Sequence, residues 1–338
     1  NPALSFFSYN MSFLSKLGFQ QSSQPDYSSL NKNIKDELFI EQCKSSCEVS
    51  CDQDTSPWPQ FKDINLDESL YNTSKSQSIH FLIPTNKDNW KHDAINEEFE
   101  KDSIPVQLNS LLKKYENLGS FGINVVDQPL NNIFDSEVTK FRKLEKLHLL
   151  PFFITLNDLS LAELEAVMEK VIPALTNTNG IKTRTELIES INGLLEGLQC
   201  HATPLLLNNL ILLCSHKNRD KRCYITAGIL KKEINKEIET YNKAHEKSVE
   251  KSDVWFTNHV GGHKYQANMQ IYLNFKEDSV QEENPNKEEG NLFIWLARIG
   301  IQHCKGIVAD LLVKEGDTKD ERKLLLTEKV RCGKRYDW

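Results

Sequence analysis

From Tyr265 to Phe275 the side chains alternate in character: Tyr265, Ala267, Met269, Ile271, Leu273 and Phe275 point one way, and Gln266, Asn268, Gln270 and Asn274 the other. A period of two is the signature of a strand and is incompatible with one helix face, so this segment anchors a sheet. Further strands read out on either side. Leu205 to Leu213 is an apolar run interrupted only by Asn208 and Asn209, Val254-Trp255-Phe256 is a short apolar run, and Leu292 to Leu296 is another. Between the first two, Ala227 to His245 is charged and periodic enough for a helix, and a last helix is expected at about Lys305 to Val313. Strand, helix, strand, strand, strand, helix is the order of an α/β sandwich of the thioredoxin type.

Upstream, Ile79 to Pro84 and Leu149 to Leu156 read as strands. Ser160 and Glu163 make a capping-box pattern, with Leu161, Leu164, Val167, Met168 and Val171 on one helical face, and Thr185 to Leu198 makes a second helix. These elements form a weaker copy of the same unit. With 338 residues and 39% hydrophobic content the chain has material for two such cores. We expect an N-terminal arm over 1–75, rich in Ser, Asn, Asp and Gln and mostly disordered. A degenerate thioredoxin-like domain follows over 76–200, then a second thioredoxin-like domain over 201–320 and a tail over 321–338. Lys276 to Gly290, with six carboxylates and two lysines, reads as a solvated loop.

A net charge of −7 excludes a broadly basic nucleic-acid binder, and no stretch reaches the roughly 18 apolar residues that cross a bilayer. Eight cysteines without a secretory signal point to a reducing compartment, where grouped cysteines bind metal or do redox chemistry. The cytoplasm is the expected location. Mitochondrial import is the alternative, because Asn1 to Pro25 lacks acids, although Lys16 is its sole cation and Met11 reads as the natural start.

The chemistry is concentrated in two pairs. Cys214 and Cys223 bracket an eight-residue loop between strand and helix, and His259-Val-Gly-Gly-His263 sets two imidazoles across a glycine turn that disfavours helix. Two thiolates and two imidazoles complete a ligand shell for a soft or borderline metal. Zinc accepts Cys2His2, but the cysteine spacing exceeds the two to four residues usual in zinc fingers, whereas a wider 2Fe-2S cluster tolerates it. On residues alone, cluster, zinc and no metal all stay open.

The stretches Ile211-Leu-Leu-Cys-Ser-His-Lys-Asn-Arg-Asp-Lys-Arg-Cys223, Asn258-His-Val-Gly-Gly-His-Lys264 and Leu292-Phe-Ile-Trp-Leu296 resemble the sucrase/ferredoxin-like family of thioredoxin-like ferredoxins. The resemblance runs from about Ile79 to Trp338. It implies that Cys214, Cys223, His259 and His263 bind a 2Fe-2S cluster in an electron-transfer or redox protein. A zinc-stabilised adaptor is the alternative. Neutral imidazoles in place of two thiolates remove two negative charges, so the potential is expected well above the roughly −400 mV of plant-type ferredoxins. The second nitrogen of each imidazole would couple reduction to protonation. The implied partner is a redox protein, for instance a flavoprotein reductase, docking on the basic loop residues Lys217, Arg219, Lys221 and Arg222, with Lys264 beside a ligand. Tyr336-Asp337-Trp338 resembles the tripeptide that recruits the cytosolic iron-sulfur targeting machinery, through Trp338, although Tyr336 departs from its aliphatic preference.

The remaining candidates read as structural. Cys43, Cys47 and Cys51 lack a fourth ligand, and Cys200, Cys304 and Cys332 read as ordinary thiols. Trp90 to Asp93 reads as a packing turn. Of the other histidines only His216 lies near a ligand, placed to tune the centre indirectly. No Cys-x-x-Cys dithiol, Walker loop or dinucleotide fingerprint is present, so classical thiol exchange and organic-cofactor catalysis lack their motifs.

Overall fold

Two six-residue runs, Ile79–Pro84 (β1) and Asn209–Cys214 (β6), are buried at every position, as strands covered on both faces must be. Each opens one half of the protein. In the computed structural model, which describes residues 59, 61, 68–244, 251–275, 290–312 and 327–336, β1 pairs in parallel with Phe121–Val126 (β2) and antiparallel with Lys143–Leu150 (β3). Beyond β3 lie Ile154–Ser160 (β4) and His201–Pro204 (β5). In the second half β6 pairs in parallel with Ser252–Thr257 (β7) and antiparallel with Met269–Leu273 (β8), followed by Leu292–Leu296 (β9) and Val330–Arg335 (β10). The halves thus repeat one pattern of a parallel pair and an antiparallel extension, the strand order expected of thioredoxin-type units.

The two units share one sheet of ten strands in the order β10-β9-β8-β6-β7-β2-β1-β3-β4-β5. The seam is antiparallel and short: Val126 pairs with Thr257, the Thr257 hydroxyl donates to the Val125 carbonyl, and Asp127 N–H donates to the Phe256 carbonyl. The sheet curls strongly. His80 of β1 meets the Tyr272 hydroxyl of β8 at 2.8 Å although four strand spacings, roughly 19 Å in a flat sheet, separate them in the sheet order. His148 of β3 likewise lies 5.2 Å, ring to ring, from Trp255 of β7.

Helices Ile104–Leu111 (α1), Ser136–Thr139 (α2), Leu164–Thr176 (α3) and Arg184–Leu194 (α4) belong to the first half; Lys221–Ala244 (α5) and Cys304–Gly306 (α6), the latter continued by a π-helical Ile307–Leu312, belong to the second. α3 buries Leu164, Val167, Met168, Val171, Ile172 and Leu175, whereas Leu161 lies in the turn ahead of it and the cap, Glu163, makes no side-chain capping bond. α4 starts at a true capping box, Thr183 with Glu186. One apolar cluster joins the first half to Leu210, Leu212, Trp255, Tyr272, Phe293 and Trp295 of the second; another lies between the second half and α5. At about 1.5–3 kcal/mol for each fully buried Leu, Ile or Phe side chain, the shared cluster welds the units together.

Several boundaries differ from the sequence reading. β5 extends the first unit to Pro204, and the run after it is a connection before β6 begins at Asn209. Leu149 to Leu156 is not one strand but the β3–β4 hairpin, broken at Pro151. Residues 68–78 are not part of an open arm: Leu70 is buried with Tyr265, and Ser74 donates to Cys332 Sγ. Residues 330–335 are not a tail but an edge strand. The alternating segment forms strand only over Met269–Leu273, and its polar face is buried like its apolar one, because the curled sheet turns it inward. The acidic insert (276–289), Cys43, Cys47, Cys51 and Trp338 lie outside the described residues.

Candidate metal centre

Cys214 ends β6 with its N–H on the Asn268 carbonyl, and its side chain is 3% exposed. Cys223, expected on a loop, instead lies in the first turn of α5 and is as deeply buried. Their thiols hydrogen bond to each other. Cys214 is held well below the usual thiol range by that bond, by a bond with His259 and by Val260 N–H, which together outweigh the burial opposing them. Cys223 is pushed up, chiefly by donating its proton to Cys214 and then by burial. The shared proton thus polarises the pair, with Cys214 the more acidic thiol and Cys223 the less acidic one.

The histidines come from the turn after β7. Gly261 and Gly262 take φ values of +91° and +73°, where glycine is at ease, and His263 starts a 3-10 turn. The two imidazoles stand 5.5 Å apart, centroid to centroid. His259 is half-buried and its Nδ1 is enclosed without a hydrogen-bond partner, while His263 is exposed. An enclosed nitrogen left open beside a polarised dithiol is what a ligand awaiting its metal looks like, since such a group is otherwise costly to bury. Cys214, Cys223 and His259 are thus in mutual contact through Cys214, and His263 flanks them.

Among the described residues no three His, Cys, Asp or Glu side chains converge on one metal-sized point. A structural zinc requires four donors within about 2.0–2.3 Å of a single ion. A binuclear cluster asks less of each iron, with one thiol pair and one imidazole pair supplied on opposite sides. The donors here fall into two pairs, Cys214 with Cys223 and His259 with His263.

Two residues that were not singled out as site residues hold the histidine turn. Arg331 of β10 is 3% exposed and donates to the Gly261 carbonyl at 3.0 Å and the Asn268 Oδ1 at 2.8 Å, with its guanidinium 4.5 Å from the Trp295 ring centroid. Asn268 donates to the Gly262 carbonyl at 2.9 Å. A Cβ at Gly262 would sit 2.5 Å from Arg331, so glycine is required by space as well as by φ. His216, 1% exposed, accepts the His259 N–H on Nδ1 at 3.2 Å and donates from Nε2 to the Lys91 carbonyl at 2.7 Å, joining the ligand turn to the Trp90 loop of the first half. Trp90 itself is buried, with its ring edge-on to His216.

The basic loop is less uniform than its sequence. Arg222 is tied to Asp220 and Lys264 to Glu68, whereas Lys217, Arg219 and Lys221 are exposed. Cys200 and Cys304 are buried thiols raised to about 12 chiefly by burial, and Cys332 accepts from Ser74. All five described cysteines are unbridged.

A sequence profile of the sucrase/ferredoxin-like family matches residues 70–332, which take in strands β1 to β9, the start of β10 and the candidate centre. The chain belongs to the sucrase/ferredoxin-like family. It is 31% identical over 302 residues to actin patches distal protein 1 of Saccharomyces cerevisiae, covering 87% of this chain and 85% of the yeast protein. No solved structure matches it. Among the described residues no helix is long and apolar enough to cross a membrane.

Proposed function

We propose that this family member is an electron carrier whose Cys214, Cys223, His259 and His263 hold a 2Fe-2S cluster. The carrying observation is the polarised Cys214–Cys223 dithiol set against two imidazoles, one of which has an enclosed, unpartnered Nδ1. The bound cluster would supply one-electron chemistry. The chain fixes the thiol pair in a dry frame, turns His263 toward solvent, and holds the histidine turn through Arg331 and Asn268. Two neutral imidazoles in place of two thiolates favour a potential well above that of four-cysteine clusters, and an exposed imidazole would let a proton follow the electron. The electron source is proposed to be a flavoprotein reductase and the compartment the cytosol, in keeping with five unbridged thiols.

Anaerobically purified protein should be coloured, with a visible charge-transfer spectrum and two irons and two acid-labile sulfides per chain. Colourless protein with one zinc would refute the proposal in favour of a zinc-stabilised adaptor. Cys214→Ala or Cys223→Ala should abolish the spectrum, while His259→Cys or His263→Cys should keep a cluster and lower its potential. The midpoint potential should fall with pH; a flat line from about pH 6 to 10, spanning the range of histidine titration, rules out the proton coupling.

A further inference from the structure

A groove of about 500 Å³ opens beside the candidate centre, along the exposed stripe of α5 that follows Cys223. Its floor is apolar: Tyr224, Ile225, Ile229 and Phe256, with Ile225 45% exposed two residues from the ligand. The charged residues that line it are Lys232, Asp88 and Glu233, and two further lysines stand beside its Cys223 end. Lys217 lies over the Tyr224 ring, Lys221 stands one turn before Ile225, and Lys232 lines the groove; all three are exposed and make no ion pair among the described residues. The neighbouring acids are mostly spent on other cations, Asp220 on Arg222, Asp127 on Lys231 and Glu233 on Lys236, which leaves Asp88 as the acid lining the far wall.

Gly228 adds an independent mark. It sits in the middle of a 24-residue helix, where glycine is a poor choice, and a Cβ there would meet nothing within 4 Å. No packing among the described residues explains it. A bare backbone does keep the groove floor open to an incoming surface.

The geometry points to this groove as the docking site of a one-electron carrier protein with an acidic face, an inference that rests on the function proposed above. A small apolar patch flanked by unpaired lysines on a chain of net charge −7 orients an acidic partner at the one end where the centre lies. Small, transient contacts of this kind are typical of redox encounters. One electron passes from the reduced carrier to the centre, and no bond is made or broken between the proteins.

The test uses an acidic plant-type ferredoxin as probe. Its binding to the full-length protein is read by titration calorimetry at low salt, and its electron delivery by stopped-flow bleaching. Binding should weaken at least about tenfold between low and physiological ionic strength, the range over which steering is screened. The K217E/K221E/K232E variant should weaken binding and slow delivery by at least about tenfold, while reduction by methyl viologen, a small cation that needs no groove, is not slowed. Gly228→Gln should keep or raise Tm yet weaken ferredoxin binding. Salt-insensitive binding, an unaffected triple variant, or binding of phosphatidylserine vesicles in place of ferredoxin would each overturn the site. Calorimetry decides this even on colourless protein, so absence of a cluster sinks the functional reading without touching the result for the groove.

Discussion

Alanine at Gly262 separates the two reasons that residue is glycine. The left-handed backbone, φ +73°, costs an L-residue about 1–2 kcal/mol. The Cβ adds a collision with three atoms of the Arg331 guanidinium, Nη1, Cζ and Nη2, at 2.5–2.6 Å, so no small rotation relieves it. To regain ordinary contact near 3.5 Å the guanidinium must recede by about 1 Å. That withdrawal strains its bonds to the Gly261 carbonyl and Asn268 Oδ1, each a charged hydrogen bond of about 1.5–3 kcal/mol. We expect Gly262→Ala to cost about 3–5 kcal/mol in all. Gly261 is the internal control: its φ is +91° but a Cβ there meets nothing, so Gly261→Ala should cost only the backbone share, about 1–2 kcal/mol. Urea unfolding of both variants, repeated in an Arg331→Met background, completes a double-mutant cycle. Without the guanidinium, Gly262→Ala should shrink to the cost of Gly261→Ala. Equal costs for the two glycines in the parent protein, or a cycle without coupling, would refute the clamp.

The buried network makes two further predictions. His216→Phe removes the partner of the half-buried His259 N–H and of the Lys91 carbonyl and should cost about 1–3 kcal/mol, lowering the urea midpoint; an unchanged midpoint contradicts the bridge. Burial pulls His80 down to about 4, His148 to about 3 and His303 to about 4, so the unfolded chain binds protons that the folded one refuses. Stability is then full above about pH 6.5 and falls as pH drops toward 4, by up to about 1.4 kcal/mol per pH unit for each histidine. His148→Gln should flatten that slope between pH 6.5 and 4 in urea titrations, and an unaltered slope would show that His148 is not a source of it.

What could be read along the chain was whatever depends on near neighbours. The thiol pair, the glycine turn and the helix face of Leu164 to Leu175 are local patterns, and the structure keeps each. Several of the misreadings concern partners distant in the chain, 63 residues away for Asn268 and Arg331 and 258 for Ser74 and Cys332. Arg331 gave no signal because its acceptors, Thr73, Gly261 and Asn268, are carbonyls and amides with no charge pattern to match. The tail and the arm looked free because their burial depends on each other: Ser74 reaches Cys332 and Tyr336 reaches the Gln77 carbonyl. The alternation of β8 was visible, yet its polar face turned out to be interior, since curling of the sheet sets Tyr272 on His80 and Asn268 on Arg331. This inversion bears on the centre. A polar face that would otherwise be hydrated is sealed by the degenerate half, and in a sealed face fixed dipoles such as Asn268 and the Arg331 charge act on the ligand turn without competition from water. In the first unit Pro84 stands at the strand end where the second unit has Cys214, and the Trp90 loop of that unit packs against the turn through His216.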